Sequence, residues 1–470
     1  MTTVVPAPAT TAATFDSLDP ATGEVVGTHP VHDAAHVDAV VDRARIEANW
    51  WEGLGFDGRK ERLIIWQKYV VQHLDELVDL MQRENGKSAG DAALEVTLAI
   101  DHLHWAATHA AKVLKRRSVA PGLMMANNAA SVAYRPFGVV AVIGPWNYPV
   151  FTPMGSIAYA LAAGNAVVFK PSEHTPGIGE WLARSFLEAI GRPVLQVVTG
   201  YGETGGALCA AGVGKVAFTG SPATARRVMA ACAETLTPVL VEAGGKDALI
   251  VDEDADLDAA ADAAIWGAAA NAGQTCAGVE RVYVHERVYD DFLRELTDKA
   301  KELAAEPGGQ LGPITMPSQI DIIRRHIDDA LARGGRAIVG GPESVGERYV
   351  QPTVLVDVPD GLPAWDEEVF APVVAVRSVP DLDTAYDVVN ASRYGLHASV
   401  FTASLDAAFE AIDRLEVGGV VVNEVPGFRS DVMPYGGVKD SGAGREGPRF
   451  AIEELTVTRM AVIRPTTRKG

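Results

Sequence analysis

Apolar residues recur at three- and four-residue spacing through three stretches near the start of the chain: VDAVVDRARIEANWWEGL, RLIIWQKYVVQHLDELVDLMQREN and LEVTLAIDHLHWAATHAAKVL. That period puts an apolar stripe on one face of an α-helix, so the region from Asp33 to about Lys115 is predicted helical, with its Trp and Leu stripes turned to a core. Ahead of it, Asp19-Pro20-Ala21-Thr22-Gly23-Glu24 has turn chemistry between two short strand-like runs. The pattern turns strand-like from Asn127 to Arg135 and then alternates. VVAVIG (139–144), NAVVFK (165–170), VLQVV, KVAFTG (215–220) and PVLVEA read as strands, with the helical stretches GEWLARSFLEAI, GGALCAAG and TARRVMAACAET among them. Strands alternating with helices of this length predict an α/β fold with a Rossmann-like, doubly wound parallel sheet.

In such a sheet a ligand sits beyond the carboxyl ends of the strands. Those ends carry Pro145-Trp146-Asn147-Tyr148-Pro149, Phe169-Lys170-Pro171-Ser172-Glu173 and Thr219-Gly220-Ser221-Pro222. A glycine and a serine opening a helix leave backbone NH groups and the positive end of the helix dipole facing outward, which suits an anion. Several loops of this kind in one sheet favour a dinucleotide, although no G-x-G-x-x-G fingerprint is read along the chain.

After Val284 a second alternating region runs to about Gly419, with helices DDFLRELTDKAKELA and IDIIRRHIDDALARG, the strand RAIVGG and the segment from Trp365 to Val373. It reads as a second α/β domain whose border lies near the strand carrying Glu242. The tail reads as a loop from Met433 to Gly442, then a strand-like LTVTRMAVI (455–463). A terminal apolar strand needs a partner, and with the stretch from Ser131 to Arg135 it is assigned to a contact between subunits, the alternative being packing within its own chain. The expected organisation is a disordered lead-in (1–15), a cofactor domain (16–124 and 138–248), a catalytic domain (249–440) and a small β oligomerisation element (125–137 and 450–466).

Length and charge narrow the function classes. At 470 residues the chain exceeds one compact core, and 48% hydrophobic with 22% charged residues is the balance of a soluble globular protein. A formal charge of −20 disfavours nucleic acid or an anionic membrane as partner, since both need a basic surface. No run approaches the ~18 consecutive apolar residues of a membrane span. The start, MTTVVPAPATTAATF, lacks the basic and apolar segments of a secretory signal. Three unevenly spaced cysteines, Cys209, Cys232 and Cys276, form no CxxC pair, which fits a reducing, cytoplasmic compartment. No metal-ligand spacing stands out.

Two residues carry candidate chemistry. Glu242 sits beside Gly244 and Gly245, and Cys276 follows 34 positions later inside Gly-Gln-Thr-Cys-Ala-Gly. A thiol in a small-residue turn is open to a ligand and a glutamate in a glycine-flanked turn has room to act as a base, so the pair suggests nucleophile and base.

With these residues in view the chain resembles the NAD(P)-dependent aldehyde dehydrogenase superfamily from about residue 16 to 465. The resemblance rests on GPWNYP (144–149), FKPSE (169–173), FTGS (218–221), EAGGK (242–246), GQTC (273–276), EEVFAP (367–372) and YGGVKDSGAGRE (435–446), in the family's order and near its spacing. It implies that Cys276 is the nucleophile, that Asn147 and the Cys276 backbone NH stabilise an oxyanion, and that Glu242 activates the water that hydrolyses a thioester. CoA-acylating relatives generally lack a glutamate at that position, so Glu242 implies a free carboxylate product. The resemblance further places Lys170 and Glu173 at the adenosine ribose, Gly220 and Ser221 at the pyrophosphate, Trp146 in the cofactor wall, and Glu368 and Phe370 at the nicotinamide ribose and ring. A carboxylate at 173 bonds a ribose 2′-OH and repels a 2′-phosphate, so NAD is expected over NADP, with Lys170 leaving NADP open. Departures from the common pattern are small residues: Pro222, Ala225, Ala243 and Ala371.

Substrate is less legible. Gly155 stands near where relatives place bulky tunnel residues, and Tyr148, Thr275, Ala277 and Phe428 are candidate lining residues for a roomy, fairly apolar channel suited to aliphatic or aromatic aldehydes. Arg429 is a candidate for holding a substrate carboxylate, as in a semialdehyde. A non-redox thioester or ester hydrolase using Cys276 and Glu242 is the alternative from another enzyme class. A homodimer or homotetramer is expected from the resemblance alone.

Overall fold

The computed structural model describes residues 13–428 and 432–464. The predicted helical region is four consecutive helices, Ala34–Gly53, Gly55–Gln72, Leu74–Asn85 and Ala89–Val113. Their apolar stripes are buried as the period requires, with Trp51, Leu63, Trp66, Leu77 and Val96 fully covered. Two of the tryptophans also satisfy their indole NH groups, Trp51 on the carbonyl of Leu161 (2.7 Å) and Trp66 on Ser185 Oγ (3.0 Å). The helices thereby dock on the α/β layer behind them.

That layer is a six-stranded sheet. From edge to edge it runs Gly442–Ala443, Val239–Glu242, Lys215–Thr219, Val139–Ile143, Ala166–Lys170 and Leu195–Val197. All its pairings are parallel except that of the two-residue edge strand with Val239–Glu242. The order of the five parallel strands reverses between Val139–Ile143 and Lys215–Thr219. A doubly wound sheet opens its ligand crevice at that switch point. Val139–Ile143 and Ala166–Lys170 are buried at every position, as strands covered on both faces are.

The chain leaves this sheet at Glu242, turns through Gly244-Gly245-Lys246 and enters a second sheet at Asp247. The expected boundary between 248 and 249 therefore falls inside the strand Asp247–Val251. The second sheet has seven strands in the order Arg336–Val339, Thr353–Val356, Val373–Val379, Val279–His285, Asp247–Val251, His397–Phe401 and Gly419–Val422. Only the Arg336–Val339 edge is antiparallel.

A third, antiparallel sheet joins Thr456–Ile463, Ala129–Pro136 and Arg117–Val119. The terminal strand pairs along its whole length within its own chain, from Thr456 opposite Pro136 to Ile463 opposite Ala129, while among the described residues no strand pairs with its other edge. Two expected boundaries shift. Residues 450–454 belong to the helix Pro448–Glu454, where Ala451 and Ile452 reach the first core, and 465–466 lie outside the described residues. At the other end the strand Thr14–Leu18 takes residues 14 and 15 out of the supposed lead-in, because it pairs with Val25–Pro30, and 1–12 lie outside the described residues. No described helix is long and apolar enough to cross a membrane.

Candidate active site

Cys276 follows the helix Leu257–Ala269 and the short turn Ala270–Gly273, in which Asn271 and Ala272 take left-handed backbone angles. Two glycines let this turn pack. A Cβ on Gly245 would stand 2.6 Å from the carbonyl oxygen of Cys276, and a Cβ on Gly273, whose φ is +74°, would stand 2.1 Å from the carbonyl carbon of Ala371. No side chain fits either gap. The segments 242–246, 273–276 and 367–372 are thus in backbone contact.

A buried ion pair knits the same segments. Lys246 Nζ lies 2.5 Å from Glu280 Oε2, and the Glu280 carboxylate also accepts the backbone NH groups of Val369 (2.8 Å) and Phe370 (2.9 Å). Phe370 is thereby held at a φ of +54° with its ring 5.4 Å from that of Trp146, edge to face. Glu368 accepts the NH of Gly245 at 3.1 Å. On the opposite wall a second buried pair, Lys87 with Glu95 at 3.0 Å, supports the turn after Val139–Ile143. Glu95 caps the helix Phe151–Ala163 by accepting the NH groups of Val150 and Phe151. Lys87 donates to the carbonyl of Asn147 and lies 3.8 Å over the Tyr148 ring.

The strand ends enclose a cleft of about 900 Å³, and every residue expected to be catalytic or to hold a cofactor lines it: Trp146, Asn147, Lys170, Glu173, Gly220, Ser221, Glu242, Cys276, Glu368 and Phe370. Asn147 Nδ2 donates to the carbonyl of Gln274 at 3.0 Å, which fixes its amide beside the Cys276 turn. Burial, followed by repulsion from Glu242, pushes the Cys276 thiol well above its usual range. Burial and the nearby Glu280 likewise hold Glu368 well above the ordinary carboxylate range. Burial lowers the Lys170 ammonium, which donates to the Pro171 carbonyl. The other two cysteines are buried against each other, while Cys276 keeps a small part of its surface open.

The described residues expected to bind substrate, Tyr148, Gly155, Thr275, Ala277 and Phe428, are not among those lining this cleft. Tyr148 and Thr275 meet through their hydroxyls at 2.9 Å, and Ala277 packs with Leu396 and Tyr435. Gly155 is buried, yet a Cβ there would meet nothing within 4 Å, so it borders open space. Phe428 is 63% exposed. Arg429 lies outside the described residues.

Reading the sequence missed several participants. Gly200-Tyr201-Gly202-Glu203-Thr204-Gly205 is a G-x-G-x-x-G run that follows the strand Leu195–Val197 and opens the helix Gly202–Ala210, and Gly202 and Gly205 line the cleft. That signal was legible. Lys87, Glu95 and Glu280 had none, because nothing local distinguishes them from solvated charges. Tyr435, whose hydroxyl reaches Cys276, lay inside a quoted motif without a role.

The residues present fit a nicotinamide dinucleotide. Side-chain-free surface at Gly202, Gly205, Gly206 and Gly220 leaves room for a backbone-hugging ligand, and Ser221 caps the helix Pro222–Ala233 with its first turn facing the cleft. Among the described residues no group of three His, Cys, Asp or Glu could hold a metal ion.

Comparison with known proteins decides the family. The aldehyde dehydrogenase family model matches residues 7–461. The chain belongs to the aldehyde dehydrogenase family. A probable succinate-semialdehyde dehydrogenase [NADP(+)] of Sinorhizobium fredii is 34% identical over 94% of this chain and 91% of its own. A 4,4'-diapolycopene aldehyde oxidase of a Methylomonas species is 36% identical over 92% and 82%. The crystal structure of an NAD-dependent aldehyde dehydrogenase from Sinorhizobium meliloti superposes with a TM-score of 0.92 at 31% identity, over 97% and 93%. The α/β architecture expected from the sequence is the one these aldehyde dehydrogenases share, and relatives use NAD or NADP.

Removing the Glu280 carboxylate tests the scaffold of this dehydrogenase site. Glu280→Ala leaves Lys246 charged and buried and orphans two NH groups, so unfolding by urea should show a loss of roughly 3–5 kcal/mol. An unchanged midpoint and slope would show that the pair does not hold the site together.

Proposed function

We propose that this aldehyde dehydrogenase oxidises its substrate to the free carboxylate with NAD, through a covalent intermediate on Cys276. The observation that carries the reading is the common cleft of Cys276, Glu242, Asn147 and the expected cofactor contacts. The Cys276 sulfur attacks the aldehyde carbon, and the carbonyl oxygen takes up the negative charge. The Asn147 amide and the Cys276 backbone NH act as the donors for that oxygen. Because burial and Glu242 keep the resting thiol protonated, attack needs a proton acceptor, and Glu242 is the carboxylate in the same cleft. Bound NAD supplies the hydride acceptor, and a thioester remains on Cys276. Glu242 gives up the first proton to solvent and then takes one from the water that attacks the thioester; the carbon–sulfur bond breaks with its electron pair on sulfur, and the acid leaves.

NAD is favoured because Glu173 lines the cleft with a negative charge that opposes a 2′-phosphate. The open space beside Gly155 and the rings of Tyr148 and Phe428 favour a fairly apolar aldehyde. A semialdehyde is the second reading, favoured by the name of the Sinorhizobium fredii relative and by Arg429 as a cation for the substrate carboxylate. The edge of the strand Thr456–Ile463 favours assembly into a dimer or tetramer, since Val457, Met460, Val462 and Ile463 are exposed there.

Cys276→Ala should abolish NADH formation. Glu242→Gln should form its first NADH more slowly, for want of an acceptor for the thiol proton, and should hydrolyse the thioester ~10²–10³-fold more slowly, so that about one NADH per site accumulates before turnover. Oxidation retained in Cys276→Ala, or hydrolysis of thioesters without any NADH from aldehydes, would sink the redox mechanism.

A panel of aliphatic, aromatic and carboxylated aldehydes with each cofactor should give the highest kcat/KM for an apolar aldehyde with NAD. Glu173→Gln should shift the balance toward NADP by about tenfold. Preference of the unaltered enzyme for NADP or for a semialdehyde would replace the corresponding part of the proposal.

Light scattering should show a dimer or tetramer for the natural chain and a smaller particle for Met460→Lys, whose side chain is 81% exposed in a single copy. A variant of unchanged mass would remove this strand from the contact.

A further inference from the structure

The hydroxyl of Tyr435 lies 3.1 Å from the sulfur of Cys276, 159 positions away in sequence. We propose that Tyr435 is a further catalytic residue of the oxidation, the hydrogen-bond donor that stabilises the Cys276 thiolate as nucleophile and again as leaving group. The inference rests on the assignment of Cys276 as nucleophile.

The phenol is held in place. Tyr435 is 7% exposed and packs with Leu396 and Ala277 around Cys276. Its backbone exchanges two hydrogen bonds with Glu446, at 3.1 and 2.6 Å. Its ring meets His397 edge to face at 4.9 Å, and His397 is itself fixed by its NH on Asp247 Oδ1 (3.0 Å) and its ring Nδ1 against the Pro426 carbonyl (2.7 Å). A phenylalanine would keep all of this packing. The hydroxyl is the part of the side chain that packing does not explain.

Its chemistry answers a specific difficulty. Burial opposes a thiolate most, and repulsion from Glu242, Glu368 and Asp247 adds to it. Tyr148 stands near with its own hydroxyl on Thr275. Tyr435 is the neighbour whose hydrogen bond favours the anion. A phenol O–H bonds a thiolate far better than a thiol, so the contact lowers the cost of deprotonation. When the sulfur attacks the aldehyde carbon its charge passes to the carbonyl oxygen, and the resulting thioether is a weak acceptor. When water has added to the thioester, the carbon–sulfur bond breaks with its electron pair on sulfur, and the O–H of Tyr435 receives that charge again.

The test is the rate of Cys276 alkylation by iodoacetamide as a function of pH, followed by mass spectrometry of the Cys276 peptide. In Tyr435→Phe the midpoint should rise by about one pH unit, as expected for losing one charge-assisted hydrogen bond. Near neutral pH kcat/KM should fall about tenfold, and the deficit should narrow as pH rises. NAD affinity and melting temperature should stay put, which a merely structural role would not allow together with a shifted midpoint. Placing 3-fluorotyrosine at position 435, a stronger donor, should move the midpoint the other way, and this second measurement holds if Tyr435→Phe folds poorly. Alkylation profiles that superpose on the natural enzyme's would overturn the proposal. Cys276→Ala separates the two readings: an inactive Cys276→Ala beside an unshifted Tyr435→Phe removes Tyr435 alone, whereas an active Cys276→Ala removes the nucleophile assignment itself.

Discussion

Lys246 and Glu280 form the interaction on which the site depends. Each belongs to a different segment around the cleft, the turn after Glu242 and the strand entered just after Cys276. Neither charge could stay buried alone, and each is compensated by the other. Glu280 extends the effect to a third segment by accepting the NH groups of Val369 and Phe370. One ion pair thus sets the distance between the turn after Glu242, the Cys276 turn and the loop that carries Glu368 and Phe370. The missing side chains of Gly245 and Gly273 let these segments close to backbone contact. The pair fixes where they stop.

The electrostatics that follow are unusual for the nucleophile proposed at Cys276. Cationic neighbours generally prepare a reactive cysteine. Here the neighbours of Cys276 are carboxylates, and burial holds Glu368 and Asp247 well above the ordinary carboxylate range. The thiol stays protonated and quiet until something in the cleft changes the balance. A hydrogen bond from a neutral phenol suits such a site, because it favours the anion without bringing in a cation that would hold the thiolate permanently.

The opposite wall obeys the same logic from the helical side. Lys87 and Glu95 come from the helical region, and their buried pair organises the turn that presents Asn147 and Tyr148. The four helices therefore form more than a cover for the sheet. Through this pair they position one wall of the cleft, while Glu84 supports the helix Pro176–Ile190 by accepting the NH groups of Gly177 and Ile178.

Periodicity alone determined the helical region, the parallel strands and the crevice at their carboxyl ends, because burial on one face or on both leaves its mark at every few residues. Glu242, Cys276 and the glycine-rich strand ends were legible as local chemistry, whereas Asn147, Trp146, Lys170, Glu173, Glu368 and Phe370 took their expected roles from the family resemblance. Exact strand limits were less legible. The helix Pro448–Glu454 was read as strand at its end because its few apolar positions fit either period, and the border at 248 missed the strand Asp247–Val251 by two residues. What only the tertiary structure decided are the long-range pairings. Lys87 with Glu95, Lys246 with Glu280, and Tyr435 with Cys276 look in sequence like ordinary surface charges or core aromatics. Their roles come from desolvation and close approach, and both exist only after residues far apart in the chain have been packed together.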